Sequence, residues 1–179
     1  DRVSKSGARF QPDKAKWFNA QYMPRKSDAE LAELFQPVLR EHGVEVSDEL
    51  AGRAAGIMKE RATFITDLWD LTCYFFVAPT VYDEKQTKKY WKGDNPARLA
   101  ELREVLAAID DFSLENTESV VNAWIAEKGY GMGQIMNTLR LALVGAGKGP
   151  GMYDVTAFLG KDETLRRIDY ILTNLKPIE

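Results

Sequence analysis

Apolar residues in this sequence recur every three or four positions and almost nowhere every second one, a period that helices satisfy and strands do not. Ser27 and Glu30 have the spacing of a capping box. Leu31, Leu34, Phe35, Val38 and Leu39 follow on one predicted helix face, which Gly43 closes. Ser47 opens a second helix with Asp48 and Glu49 in its first turn, where a helix dipole favours negative charge, and Leu50, Ala54, Ile57 and Met58 form its stripe. A third is expected around Phe64, Ile65, Leu68 and Trp69, ending before Pro79. Asn95 as a cap and Pro96 at the first helical position start another, carrying Leu99, Leu102, Leu106 and Ile109. Further helices are predicted from about Ser113 through Val120, Val121 and Trp124 to Gly129, then along Ile135, Met136, Leu139 and Leu143 to Gly145. A last one has Leu165, Ile168, Leu172 and Leu175 on one face. The expected fold class is therefore all-α, two helical bundles over 27–93 and 94–179 behind an irregular tail over 1–26 that Pro12 and Pro24 punctuate. The bundles are expected to meet near 80–95, where Lys85, Lys88, Lys89 and Lys92 make a charged, linker-like stretch.

Composition excludes several classes of function. The 179 residues are enough to bury a core, and no apolar run approaches the roughly 20 residues of a membrane span. No signal-peptide stretch is seen, and one cysteine, Cys73, cannot form an internal disulfide, so a reducing, cytoplasmic setting is expected. Cys73 is read as an inert core residue and the single histidine, His42, as a loop or C-cap residue. No Cys/His cluster has metal-ligand spacing, and no nucleophile–base set is available. The formal net charge is −3, yet residues 128–176 hold seven basic and four acidic side chains, or +3, which leaves −6 for the remainder. Such a mild asymmetry is compatible with phosphate contacts and equally with solvated helix faces.

Three strings invite a functional reading. Val3-Ser4-Lys5-Ser6 resembles a phosphate-gripping synthetase loop, but Arg2 stands where the leading lysine belongs, and a polar connection is the better expectation. Residues 145–151, Gly-Ala-Gly-Lys-Gly-Pro-Gly, suggest a P-loop. A P-loop requires Ser or Thr after its lysine and a strand before it; here Gly149 follows Lys148 and a helix leads in, so nucleotide binding is rejected. Four glycines in seven residues are explained either by a tight helix-to-helix connection or by a backbone that must approach a ligand closely. The third string, Lys59-Glu60-Arg61, reads on its own as an exposed charged turn.

The run over 131–145, Gly-Met-Gly-Gln-Ile-Met-Asn-Thr-Leu-Arg-Leu-Ala-Leu-Val-Gly, resembles the G-x-x-M/L-G…L-R-x-A-L-x-G signature of the anticodon region of bacterial-type, class I glutamyl-tRNA synthetases. The resemblance continues through Gly149-Pro150-Gly151-Met152-Tyr153, Leu159-Gly160-Lys161 and Thr164-Leu165-Arg166-Arg167-Ile168. Earlier blocks match in order: Arg2-Val3-Ser4 with Gly7-Ala8, Lys16-Trp17-Phe18-Asn19 with Tyr22, Lys59-Glu60-Arg61, and Tyr74-Phe75-Phe76. What this resemblance implies is an RNA-binding C-terminal part of an enzyme that joins glutamate to its tRNA with ATP and magnesium. The H-I-G-H and K-M-S-K-R catalytic motifs of that family are absent from this chain, and Asp1 is not a methionine, so a catalytically inactive fragment is expected, without a cofactor of its own. The partner implied is the anticodon loop of glutamate tRNA, with no DNA, no membrane and no oligomer.

Position by position, Arg61 matches the family's arginine for the third anticodon base, and Arg140 the arginine of L-R-x-A-L near the anticodon loop. A guanidinium suits base reading because its fork donates paired hydrogen bonds at fixed geometry. Gly149, Pro150, Gly151 and Met152 match the loop that touches splayed anticodon bases, the usual way single-stranded RNA is read. Some relatives carry Thr-Pro-Gly-Leu there, so a hydroxyl contact is lost at Gly149 and recognition falls to backbone groups. Lys59, Lys148, Lys161, Arg166 and Arg167 are the candidate phosphate contacts. The competing expectation is a helical protein–protein interaction module that has lost RNA binding.

Overall fold

A computed structural model of the chain describes residues 22–179. The loop at 3–6, the block at 16–19 and most of the expected tail lie outside the described residues. Every regular element described is helical, and the sole β pairing among the described residues is an isolated parallel bridge between Lys92 and Ile178. The chain divides into two compact units, Asp1–Leu71 and Thr72–Glu179.

In the first unit a 3-10 turn, Met23–Arg25, leads into α1 (Asp28–Glu41) and α2 (Asp48–Met58), followed by a second 3-10 turn, Lys59–Arg61. Ser27 and Glu30 form the expected box, the Ser27 hydroxyl accepting from Glu30 N–H and the Glu30 carboxylate from Ser27 N–H. Those two bonds, backbone first, hold the Glu30 carboxyl below its ordinary value. Ser47 caps α2 by accepting from Leu50 N–H at 3.2 Å. The two helices press together through small residues: Ala51, Ala54 and Ala55 are buried, and a Cβ at Gly52 or Gly56 would overlap Asp28. Leu34, expected on the apolar face, is instead exposed, while Leu31, Phe35 and Leu39 are fully buried. His42 is the C-cap of α1, its Nδ1 2.9 Å from Val38 O, and its ring stacks on Trp69 at 4.1 Å. The end of a helix leaves carbonyls without partners, so this is the role the sequence pointed to.

α3 (Asp67–Phe76) carries the division between the units. Cys73 on it is half-buried, not a core residue. The second unit adds α4 (Glu84–Tyr90), α5 (Asn95–Ala107), α6 (Leu114–Lys128), α7 (Met132–Val144) and α8 (Met152–Asn174). The core of this unit is formed by Leu99, Leu102 and Leu106 of α5, Val121 and Ile125 of α6, Ile135 and Leu139 of α7, and Val155, Ile168 and Ile171 of α8.

Three differences from expectation have physical causes. Residues 72–93 join the second unit, so the division lies at 71/72 and not at 93/94. Trp91, 1% exposed, explains part of this: its Nε1–H donates to Leu175 O, and its own carbonyl accepts from Ile178 N–H. The supposed linker contains α4, whose Glu-Lys-Gln-Thr-Lys-Lys-Tyr sequence buries no residue and so shows no apolar period. Asn95 does not cap α5 through its side chain; its Nδ2 turns back to donate to Tyr90 O, at the end of α4.

Candidate nucleic-acid interface

The glycine-rich loop is built against the protein itself. α7 stops at Gly145, whose φ of 80° lies in the left-handed region, and Gly145 N–H closes the helix onto Leu141 O. A Cβ there would stand 2.7 Å from Pro79 Cβ, so the backbone angle and the space both require glycine. Gly149, at φ 107°, crosses the Tyr74 ring, and a Cβ would meet Tyr74 Oη at 3.0 Å and Arg140 Nη1 at 3.3 Å. Gly147 lies against the Gln86 amide in the same way. Of the two explanations left open by the sequence, the close approach is thus to Pro79, Gln86, Tyr74 and Arg140. Arg140 Nη1–H donates to Lys148 O at 2.9 Å, and Asp83 N–H donates to Gly145 O at 2.8 Å, fixing both ends of the loop.

Within the segment 149–152 the expected contact residues separate. Gly151 is exposed and Gly149 half-buried, so their backbone faces outward in part. Pro150 is buried and Met152 is 4% exposed, so of the four expected contact residues these two turn their side chains inward. Met152 is the first residue of α8 and buries its thioether as a core filler does.

The candidate phosphate contacts separate as sharply. Arg167, 3% exposed, donates from Nη1 to Tyr74 O at 2.6 Å and Leu143 O at 2.7 Å, and from Nε to Glu163 at 2.9 Å. Tyr74 and Leu143 lie in the last turns of α3 and α7, where carbonyls lack helical partners, so Arg167 caps two helices and is not a phosphate ligand. Lys161 is also internal: its Nζ donates to Ala107 O at 3.0 Å and Ile109 O at 2.8 Å, capping the end of α5. Lys59 Nζ donates to Lys26 O at 2.9 Å across the base of the first unit's turn. Arg166 is exposed and forks onto Glu163 at 2.8 and 2.7 Å. That bond to Arg166, aided by Arg167 against some desolvation, holds the Glu163 carboxyl down to about 2. Lys148 is exposed on the loop, and Arg61 is exposed at the end of the Lys59–Arg61 turn, which Ala62 N–H closes onto Lys59 O at 3.3 Å.

No cluster of His, Cys, Asp or Glu that could hold a metal exists among the described residues, and no helix there is long and apolar enough to cross a membrane. The second unit is thus a helical scaffold presenting a braced loop, Lys148 and the outer strip of α4, and the first presents Arg61 on a tight turn. The anticodon binding domain family matches residues 30–172, and the chain belongs to it.

Among individual proteins, the chain is 55% identical over 175 residues to the glutamate–tRNA ligase of Phocaeicola vulgatus and 54% identical over 175 residues to that of Bacteroides fragilis. Each alignment covers 98% of this chain and 35% of the relative, so the chain spans about a third of the length of the curated relatives it matches. The crystal structure of a glutamate tRNA ligase from Elizabethkingia meningosepticum in complex with its amino acid superimposes with a TM-score of 0.87 at 43% identity, over 97% of this chain and 34% of that one. Glutamate-tRNA synthetase from Elizabethkingia anophelis gives 0.82 at 42% identity.

Proposed function

We propose that this chain is the anticodon-reading part of a glutamate–tRNA ligase and that its partner is the anticodon loop of glutamate tRNA. The observation that carries the proposal is the family match over 30–172 together with an exposed arginine on a short, closed turn, Arg61. A guanidinium exposed on such a turn suits the edge of an unstacked base, to which its fork can donate paired hydrogen bonds. Gly149, Gly151, Lys148 and Arg140 supply a second, loop-borne surface, in which backbone groups stand where a hydroxyl serves in some relatives. Arg140 has a positioning part there: by holding Lys148 O it sets the loop's path. Ligation of glutamate, with ATP and magnesium, is assigned to the parent protein's catalytic part and not to the residues of this chain.

The test is binding of glutamate tRNA against the same tRNA changed at its third anticodon base. The chain should prefer the unchanged tRNA, and Arg61→Ala should abolish the preference at a cost of about 1–3 kcal/mol, the worth of one base-directed arginine. Equal affinity for both tRNAs, with Arg61→Ala silent, would remove the base-reading role.

A further inference from the structure

The stretch first read as a linker carries more than a connection. Lys85, Lys88 and Lys89 stand at helical spacing on α4, and Lys92 follows one residue beyond its C-cap, Trp91; all four are exposed. Residues at i, i+3 and i+4 share a helix face, so the α4 lysines form one row. The acids of this segment already have partners. Asp83 caps α4 by accepting from Gln86 N–H at 2.8 Å, Glu84 pairs with Lys88, and Asp94 lies 3.7 Å from Arg98. Lys85, Lys89 and Lys92 have no carboxylate partner among the described residues, and Lys89 only overhangs the Tyr90 ring at 5.2 Å. Residues 83–94 hold four lysines against three carboxylates, a balance of +1 in a chain of net charge −3, and with Lys88 paired to Glu84 the unpaired positive charge stands at Lys85, Lys89 and Lys92.

The strip is also anchored at both ends. Behind Lys92, Trp91 is locked by bonds to Leu175 and Ile178, while Lys89, Lys92 and Arg98 open onto a cleft of about 580 Å³ that Asp94 and Glu179 also line. At its other end α4 is tied to the glycine-rich loop through Asp83 N–H and Gly145 O, and Gln86 lies against Gly147. Lys85 to Lys89 spans about 6 Å of helix axis, the reach of about two phosphates along a strand.

We infer that Lys85, Lys89 and Lys92, with Arg98 beside them, form a second contact of the bound tRNA, gripping its phosphate backbone without regard to base where the strand leaves the loop surface. The inference rests on the anticodon-reading function proposed above. Its occupant is RNA and not another polyanion because the chain belongs to the anticodon binding domain family and α4 is bonded to the glycine-rich loop proposed above as an RNA-facing surface. Each phosphate that a lysine neutralises adds close to one unit to the slope of log affinity against log salt.

The experiment measures that slope for glutamate tRNA with the wild-type chain, a Lys85→Ala/Lys89→Ala/Lys92→Ala variant and a Lys85→Arg/Lys89→Arg/Lys92→Arg variant. The alanine variant should bind at least tenfold more weakly at low salt, with a slope shallower by about 2–3 units, and should keep the preference for the unchanged third anticodon base. The arginine variant should restore the slope. An unchanged slope in the alanine variant, with base preference intact, overturns this inference and leaves the anticodon-reading proposal standing. So does loss of binding to phosphatidylserine vesicles with tRNA binding unaltered, which would assign the strip to a membrane surface. Absence of salt-dependent tRNA binding by the wild-type chain overturns both.

Discussion

A lysine or arginine seeks oxygen, and a folded protein offers oxygens of its own. Arg167 and Lys161 show how this defeats residue-by-residue inference: each was a credible phosphate ligand by charge and position, and each donates to carbonyls at the ends of helices distant in sequence. Nothing local marks the difference, because the acceptors of Arg167 lie 93 and 24 positions away. The one available sign was periodicity, since Arg167 falls with Thr164, Ile168 and Ile171 on the buried face of α8, and the stripe drawn through Leu165 and Leu172 missed it by one position. Replacing Arg167 by methionine should therefore act on stability. It strands two buried carbonyls that cost about 1–3 kcal/mol each, so urea unfolding should show a loss of about 3 kcal/mol. The salt slope of tRNA binding should stay as in wild type; a changed slope with unaltered stability would restore Arg167 as a phosphate contact. By contrast Ser27 and Ser47 at the helix starts were legible at once, because their acceptor and donor are three residues apart.

At the scale of elements, apolar helices announced themselves and polar ones did not. α4 has no buried residue and hence no hydrophobic period, and α8 is bent where Gly160 adopts φ 78° and ψ 170°, joining two helical segments of which the sequence reading placed only the later, through Leu165, Ile168, Leu172 and Leu175. Charge on α8 has a measurable consequence through Glu163. Its carboxyl ionises near 2 in the fold against an ordinary 4.5, so the unfolded chain binds the proton more readily. A depressed folded value means the contribution is fully present above about pH 4.5 and is lost as pH falls toward 2. Since the side chain is one-third exposed, solvent screening limits the contribution to about 1 kcal/mol. Glu163→Gln should therefore be less stable than wild type at pH 6 by about that amount, and the gap should close between pH 4.5 and 2 in urea titrations. A gap independent of pH would mean that Glu163 contributes packing and not charge.

The whole molecule is two units, and that division was the least legible feature, because it falls inside a continuous helix. The 80–95 stretch drew the boundary in the sequence by its lysines, yet Trp91, with its bonds to Leu175 and Ile178, binds that stretch to the end of the chain. An indole at the end of a polar helix gives no period to read, and its partner is 84 residues on. The division makes an energetic prediction for each unit taken by itself. The first depends on α1 and α2 meeting through Gly52 and Gly56, where an added Cβ at Gly52 would overlap the Asp28 backbone carbonyl. A backbone atom cannot rotate away as a side chain does, so Gly52→Ala should force α1 and α2 apart, at about 1–3 kcal/mol, the usual cost of overpacking. Compact units open separately when the contacts that hold each are its own. Amide hydrogen exchange in Gly52→Ala should accelerate along α1 and α2 while protection in α5, α7 and α8 stays at wild-type values. Acceleration spread evenly over both would mean that the units unfold as one, and the division at Leu71 would then be geometric without being energetic.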